Sequence, residues 1–162
     1  MQRTIKVYNS ILNEFPELTF KQADQFYWSS IDNIVAHKPI QTPTDLWLLL
    51  HEIAHFELGH TDYEFDAHLA KYEALAWNHA ILALAPRYNL EIDPNIIEDS
   101  LDTYRAWLHN RSLCPNCQQT GLQQNKNTYS CLNCRCSWRV NEARLCGLRR
   151  KTLDSSLATA AN

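Results

Sequence analysis

Apolar positions recur along this chain at two different periods. Ile5, Tyr8, Leu12 and Phe15 keep the spacing of one helix face, and Pro16 stops the run. Three short β-rich stretches follow: LTF (18–20), QFYW (25–28) and NIVAH (33–37). Turn residues at Ala23-Asp24 and Ser30-Ile31-Asp32 separate them, which predicts a small antiparallel sheet. Thr42-Pro43-Thr44-Asp45 is a helix start: Thr42 can cap, Pro43 suits the first helical position, and Asp45 favours the helix dipole. The helix it opens runs to Gly59, a natural stop. Leu46, Trp47, Leu48, Leu49, Leu50, Ile53, Ala54, Phe56 and Leu58 make it apolar nearly all round, so it is predicted in the middle of the fold. A further helix spans 62–85, ended by Pro86. Another opens at Asp93-Pro94, repeats Ile97, Leu101, Tyr104 and Leu108, and fades near Asn110. The expectation is an α+β chain with a main domain over 1–111, a small module over 112–150 and a disordered tail over 151–162.

The central helix carries the first chemistry. LWLLLHEIAHFELGH sets two histidines and a glutamate in greasy surroundings, where polar groups are costly without a partner. His51 and His55 are four apart, so they share a face and can converge on one ion. Glu52 is rotated by about 100° from His51, beside a metal-bound water rather than on the metal. This is the HExxH arrangement: two imidazoles bind zinc and the carboxylate takes a proton from water. A catalytic zinc commonly takes a third protein ligand. Gly59 and Thr61 do not fit HExxHxxGxxH, and His60, turned away by about 140° on a continuing helix, is predicted to cap the turn. A returning helix brings a residue two or three turns in level with the pair. Glu73 fits, and His68 is its competitor. Tyr63, His68, Tyr72 and His79 are candidate donors to a developing oxyanion, each with a packing or surface role as the plainer reading.

All six cysteines lie between 114 and 146. CPNC (114–117) and CLNC (131–134) each aim two thiolates at one point, so Cys114, Cys117, Cys131 and Cys134 predict a zinc ribbon held by four cysteines. The linking QQTGLQQNKNTYS has little core of its own and needs a staple. Cys136 and Cys146 read as small buried or free thiols.

Composition changes the picture in three ways. Hydrophobic content of 45% and charged content of 20% are those of a globular chain, with no run near the length of a membrane helix and no signal core, so a cytoplasmic protein is expected. Three glycines exclude Gly-rich phosphate loops. Residues 1–134 hold 9 Lys/Arg against 16 Asp/Glu, whereas 135–162 hold 6 against 2. The basic end suits nucleic acid through Arg135, Arg139, Arg144, Arg149, Arg150 and Lys151, with Trp138 for stacking. A closed zinc site that makes a protein-docking surface is the other reading of this module.

HEIAHFELGH followed by EALAW resembles the ImmA/IrrE group of gluzincin metallopeptidases over about residues 25–85. The resemblance implies a minigluzincin core with a small antiparallel sheet packed on the active-site helix, and a zinc-dependent endopeptidase acting on a protein substrate. It implies His51, His55 and Glu73 as ligands and Glu52 as general acid/base. SprT-like proteases are a second resemblance, joining HExxH to a C-terminal zinc module but using a third histidine. The edge of the small sheet, near FYW, is expected to take substrate as an added strand. The expected cofactor is zinc, two ions per chain. The alternative function is a zinc-ribbon regulator that binds nucleic acid or protein and carries an inactive HExxH domain.

Overall fold

The computed structural model describes residues 2–143 and 147–153. In order, the elements are α1 (Gln2–Glu14), β1 (Thr19–Gln22), β2 (Tyr27–Ser29), β3 (Ile34–His37), α2 (Pro43–Glu57), α3 (Asp66–His79), α4 (Pro94–Ser112), β4 (Leu122–Asn125), β5 (Thr128–Ser130), β6 (Ser137–Val140) and β7 (Arg150–Leu153). The chain is α+β and divides into two compact units, Met1–Asp62 with Tyr72–Ile97, and Tyr63–Lys71 with Glu98–Asn162. That division falls elsewhere than the expected boundary at 111/112. Of the expected tail, Lys151–Leu153 lie in β7, because they pair with Ser137–Arg139 of β6; 154–162 lie outside the described residues.

In the first unit, α2 is the centre. Its start is a capping box: Thr42 Oγ1 accepts from the Asp45 backbone N–H, and the Asp45 carboxylate accepts from the Thr42 N–H at 2.7 Å. No residue from Thr44 to Phe56 is fully exposed. Leu46, Leu49, Leu50, Ile53 and Ala54 pack with Ile11 of α1, Phe15 just past its end, Val35 of β3, and Ala76, Ala80 and Leu84. The small sheet is mixed rather than antiparallel: its order is β1-β3-β2, with β1 parallel and β2 antiparallel to β3. The burial of the strands accounts for this. Val35, Ala36 and His37 of β3 are buried, so β3 takes the middle, while β1 and β2 have no buried residue and hold the edges. A left-handed Asn33 (φ 51°) closes the turn from β2 into β3.

α3 begins four residues later than the sequence pattern suggests and leaves α-geometry earlier. A wide π-turn over Ala80–Leu84, in which the Ala85 N–H reaches Ala80 O, and a 3-10 turn over Ala85–Tyr88 carry the chain across Pro86, which has no N–H to donate.

The second unit holds an antiparallel sheet of order β4-β5-β6-β7. Its apolar core is small: Tyr129, Trp138 and Val140 with Cys114 and Cys131. A Cβ at Gly121 would lie 2.2 Å from Trp138 Cη2, so only glycine fits there. A buried polar knot supports this core. Arg111 donates to Asp66, to the carbonyl oxygens of Lys126 and Asn141 and to Asn127 Oδ1; the Tyr129 hydroxyl also donates to Asp66. Among the described residues no helix is long and apolar enough to cross a membrane.

Candidate metal centres

The helix pattern of the sequence places His51 and His55 one turn apart on the buried side of α2. On α3, Glu73, Ala76 and Trp77 share the buried side, and Ala80, just past its end, continues it. Ala76 and Ala80 leave room for α3 to come close, whereas Ala74, a small residue beside Glu73, is exposed. The result is a triangle of ligand atoms: His51 Nε2 to Glu73 Oε2 is 3.0 Å, His51 Nε2 to His55 Nε2 is 3.2 Å, and His55 Nε2 to Glu73 Oε2 is 3.6 Å. All three residues are buried. His51 Nε2 carries either one proton or one lone pair, yet it faces both other atoms. One cation at the centre satisfies all three. Tetrahedral ligands about 2.0–2.1 Å from zinc stand about 3.3 Å apart, which the three edges bracket. His51, His55 and Glu73 therefore fit an ion of this kind.

Electrostatics agree with the geometry. Burial alone would raise the Glu73 carboxyl, but hydrogen bonds from His51 and His55 and the nearness of both rings hold it down at about 2. Glu52, on the same helix as the two histidines but only half-buried, is pushed the other way. Burial and the Glu73 charge raise its carboxyl, against His51, His55 and a hydrogen bond from the Trp28 backbone N–H. One carboxylate is thus kept charged as a ligand while its neighbour is made more basic, an arrangement suited to proton transfer.

His68, the alternative third ligand, is exposed and meets the ring of Phe65; it is not part of the triangle. The other oxyanion candidates each have a partner: Tyr63 lies under Lys126 Nζ, Tyr72 stacks on His60, and His79 pairs with Glu57 at 2.5 Å. His60 is the residue whose side chain the sequence pattern misplaces. Gly59 is left-handed (φ 65°), and the chain ends α2 in a Schellman turn, with Gly59 N–H to Phe56 O and His60 N–H to His55 O, both 2.9 Å. His60 thus caps the turn with its backbone. The same turn reverses the chain, so its ring packs under His55 instead of facing away. The only sequence signal for this is the Gly-His pair at the helix end.

The four cysteines also converge. Cys114 Sγ to Cys134 Sγ and Cys117 Sγ to Cys131 Sγ are each 3.5 Å, near the roughly 3.8 Å expected of thiolates about 2.3 Å from a tetrahedral zinc. Two matching turns build the cluster. In each, the residue after the second cysteine is left-handed (Gln118 and Arg135, φ 60°) and its N–H bonds the carbonyl of the first cysteine at 3.0 Å. The backbone N–H of Gln119 and the Asn133 side chain lower the Cys117 thiol to about 6, and the N–H of Cys136 and the Asn116 side chain lower Cys134. Burial raises Cys114, and against the backbone N–H of Cys134, burial and the Cys117 and Cys134 side chains push Cys131 up to about 11, so two of the four are poised as thiolates ahead of a cation. Cys136 is a free thiol outside the four; Cys146 lies outside the described residues.

Trp138 is fully buried, donates to Arg111 O at 3.0 Å and stacks on Tyr129, so it is withdrawn from any stacking on nucleic acid. Of the basic residues, Arg139 and Lys151 are cross-strand neighbours and exposed, Arg135 and Arg149 are exposed, Arg150 donates to Leu113 O, and Arg144 lies outside the described residues. No family model, curated protein or solved structure matches this chain.

Proposed function

We propose that the chain is a zinc-dependent endopeptidase of gluzincin type, with an ImmA/IrrE-like minigluzincin core and a C-terminal zinc ribbon. The observation that carries this reading is the convergence of His51 Nε2, His55 Nε2 and Glu73 Oε2, with the raised carboxyl of Glu52 one residue from His51. His51, His55 and Glu73 would hold a zinc ion, which would supply a water of lowered pKa and polarise a peptide carbonyl. Glu52 takes the proton as water attacks the carbonyl carbon, then gives it to the amine that leaves. The Trp28 N–H holds the Glu52 carboxyl, so the edge strand β2 runs beside the reacting groups. A substrate strand added to that edge would lie along the site. Cys114, Cys117, Cys131 and Cys134 would hold the second zinc with no open position, a structural role.

The test is digestion of an unstructured polypeptide mixture by zinc-loaded protein, read by mass spectrometry. Cleavage by the wild type and none by Glu52→Gln is expected. Equal products from both, or none from either, would contradict the reading. A second reading, a binding module whose HExxH domain is inactive, is favoured by the exposed Arg135, Arg139, Arg149 and Lys151. It predicts polyanion binding that weakens steeply with salt and is lost when Arg139 and Lys151 are neutralised.

A further inference from the structure

His55 offers Nε2 to the ligand triangle, which leaves Nδ1 to decide how the ring is held. That nitrogen lies 3.0 Å from Nδ1 of His60. A ring that gives the Nε2 lone pair to a cation keeps its proton on Nδ1, so Nδ1 is the donor and its partner must accept. We propose that His60 is a positioning residue: by accepting from His55 Nδ1–H it fixes the tautomer and rotation of that ligand. This inference rests on the reading of His51, His55 and Glu73 as a metal site. A carboxylate or a backbone carbonyl commonly fills such a place.

His60 is built for the task from several sides. Its N–H closes the turn at the end of α2, and its C=O accepts from Trp28 Nε1 at 3.1 Å. Its ring stacks on Tyr72 with centroids 4.3 Å apart and planes 14° apart. It is only 8% exposed, so solvent does not compete freely for Nδ1. The contrast with the other ligand is informative. His51 Nδ1 is buried with no hydrogen-bond partner among the described residues, and that ring is held by stacking on Trp77 at 4.3 Å. One histidine of the pair is oriented by a hydrogen bond, the other by packing.

The experiment reads the site without turnover. Cobalt is titrated into the protein, and zinc affinity is measured by chelator competition, for wild type, His60→Phe and His60→Asn. Phenylalanine keeps a ring on Tyr72 without an acceptor, whereas asparagine keeps an acceptor near the position of Nδ1. His60→Phe is expected to weaken the His/Glu site by about 10–100-fold and to shift its cobalt spectrum, with the cysteine site unchanged; His60→Asn should recover most of the loss. His60→Phe with wild-type affinity and spectrum would overturn the role. Wild type that takes up no cobalt at His51 and His55 would sink the metal reading itself, a distinguishable result. Should His60→Phe misfold, two-bond proton–nitrogen NMR of zinc-loaded wild type decides: the proton of His60 is expected on Nε2, and one on Nδ1 would overturn the proposal.

Discussion

His51, His55 and Glu73 project from helices that have an apolar core of their own, from Ile11 through Leu50 to Leu84. The cysteines, by contrast, belong to the small core beside them: among the described residues Cys114 and Cys131 are buried with Tyr129, Trp138 and Val140, and Cys117 and Cys134 pack against them half-buried. A metal at the first site would be added to a fold that burial already stabilises; a metal at the second would be a condition of the fold. The ligands differ accordingly. The helical set offers three protein atoms and a basic carboxylate alongside, which leaves a position for chemistry. The cysteine set offers four thiols on two matching turns and leaves none. Two sites suited to one kind of ion can thus be fitted for opposite work in one chain, and the surrounding core separates them.

Chelation should separate the two most strongly. Stripped of metal, the cysteine unit is expected to lose the near-ultraviolet signal of Tyr129 and Trp138, since such sites contribute about 10 kcal/mol or more to folding, while the α-helical signal of α1 and α2 persists. A cysteine unit that stays folded without metal would contradict this. Next in size is Glu52→Gln. It should slow cleavage by about 10²–10⁴-fold yet leave zinc content and melting unchanged, because in the proposed mechanism Glu52 acts on the reaction and not on the fold. Third, Arg111→Leu leaves Asp66 buried without its ion-pair partner. A loss of about 3–5 kcal/mol, read as a lower urea midpoint for the second unit, is expected. The smallest effect concerns the cap of α2. Asp45→Asn should cost about 1 kcal/mol at neutral pH. Although burial opposes it, the N–H groups of Gln41 and Thr42 lower the Asp45 carboxyl. Its contribution is therefore full above the ordinary aspartate range and is lost as pH falls through the lowered value, so the two proteins should converge in stability in acid.

Local rules make much of this legible in the chain itself. The capping box at Thr42–Asp45 and the unbroken apolar face of α2 follow from side-chain chemistry and helical period, which act within a few residues. The two CxxC pairs carry their own geometry. What escapes depends on distant choices. The mixed sheet arises because β3 is the strand that buries itself, and strand propensity says nothing of order. Glu73 rather than His68 faces the pair because α3 starts at Asp66 and turns Glu73, Ala76 and Trp77 inward together. Trp138 reads as a surface for bases, yet its indole fills the space that Gly121 leaves open. His60 reads as a cap because a helix continued past Leu58 would turn it away. The left-handed Gly59 turns it back.

The proposed function depends on a metal ion that would join α2 to α3 through His51, His55 and Glu73. Zinc per chain, counted for the wild type and for His51→Ala, tests it most directly. Two ions are expected in the wild type and one, held by the cysteines, in the variant. A single ion in both would contradict it.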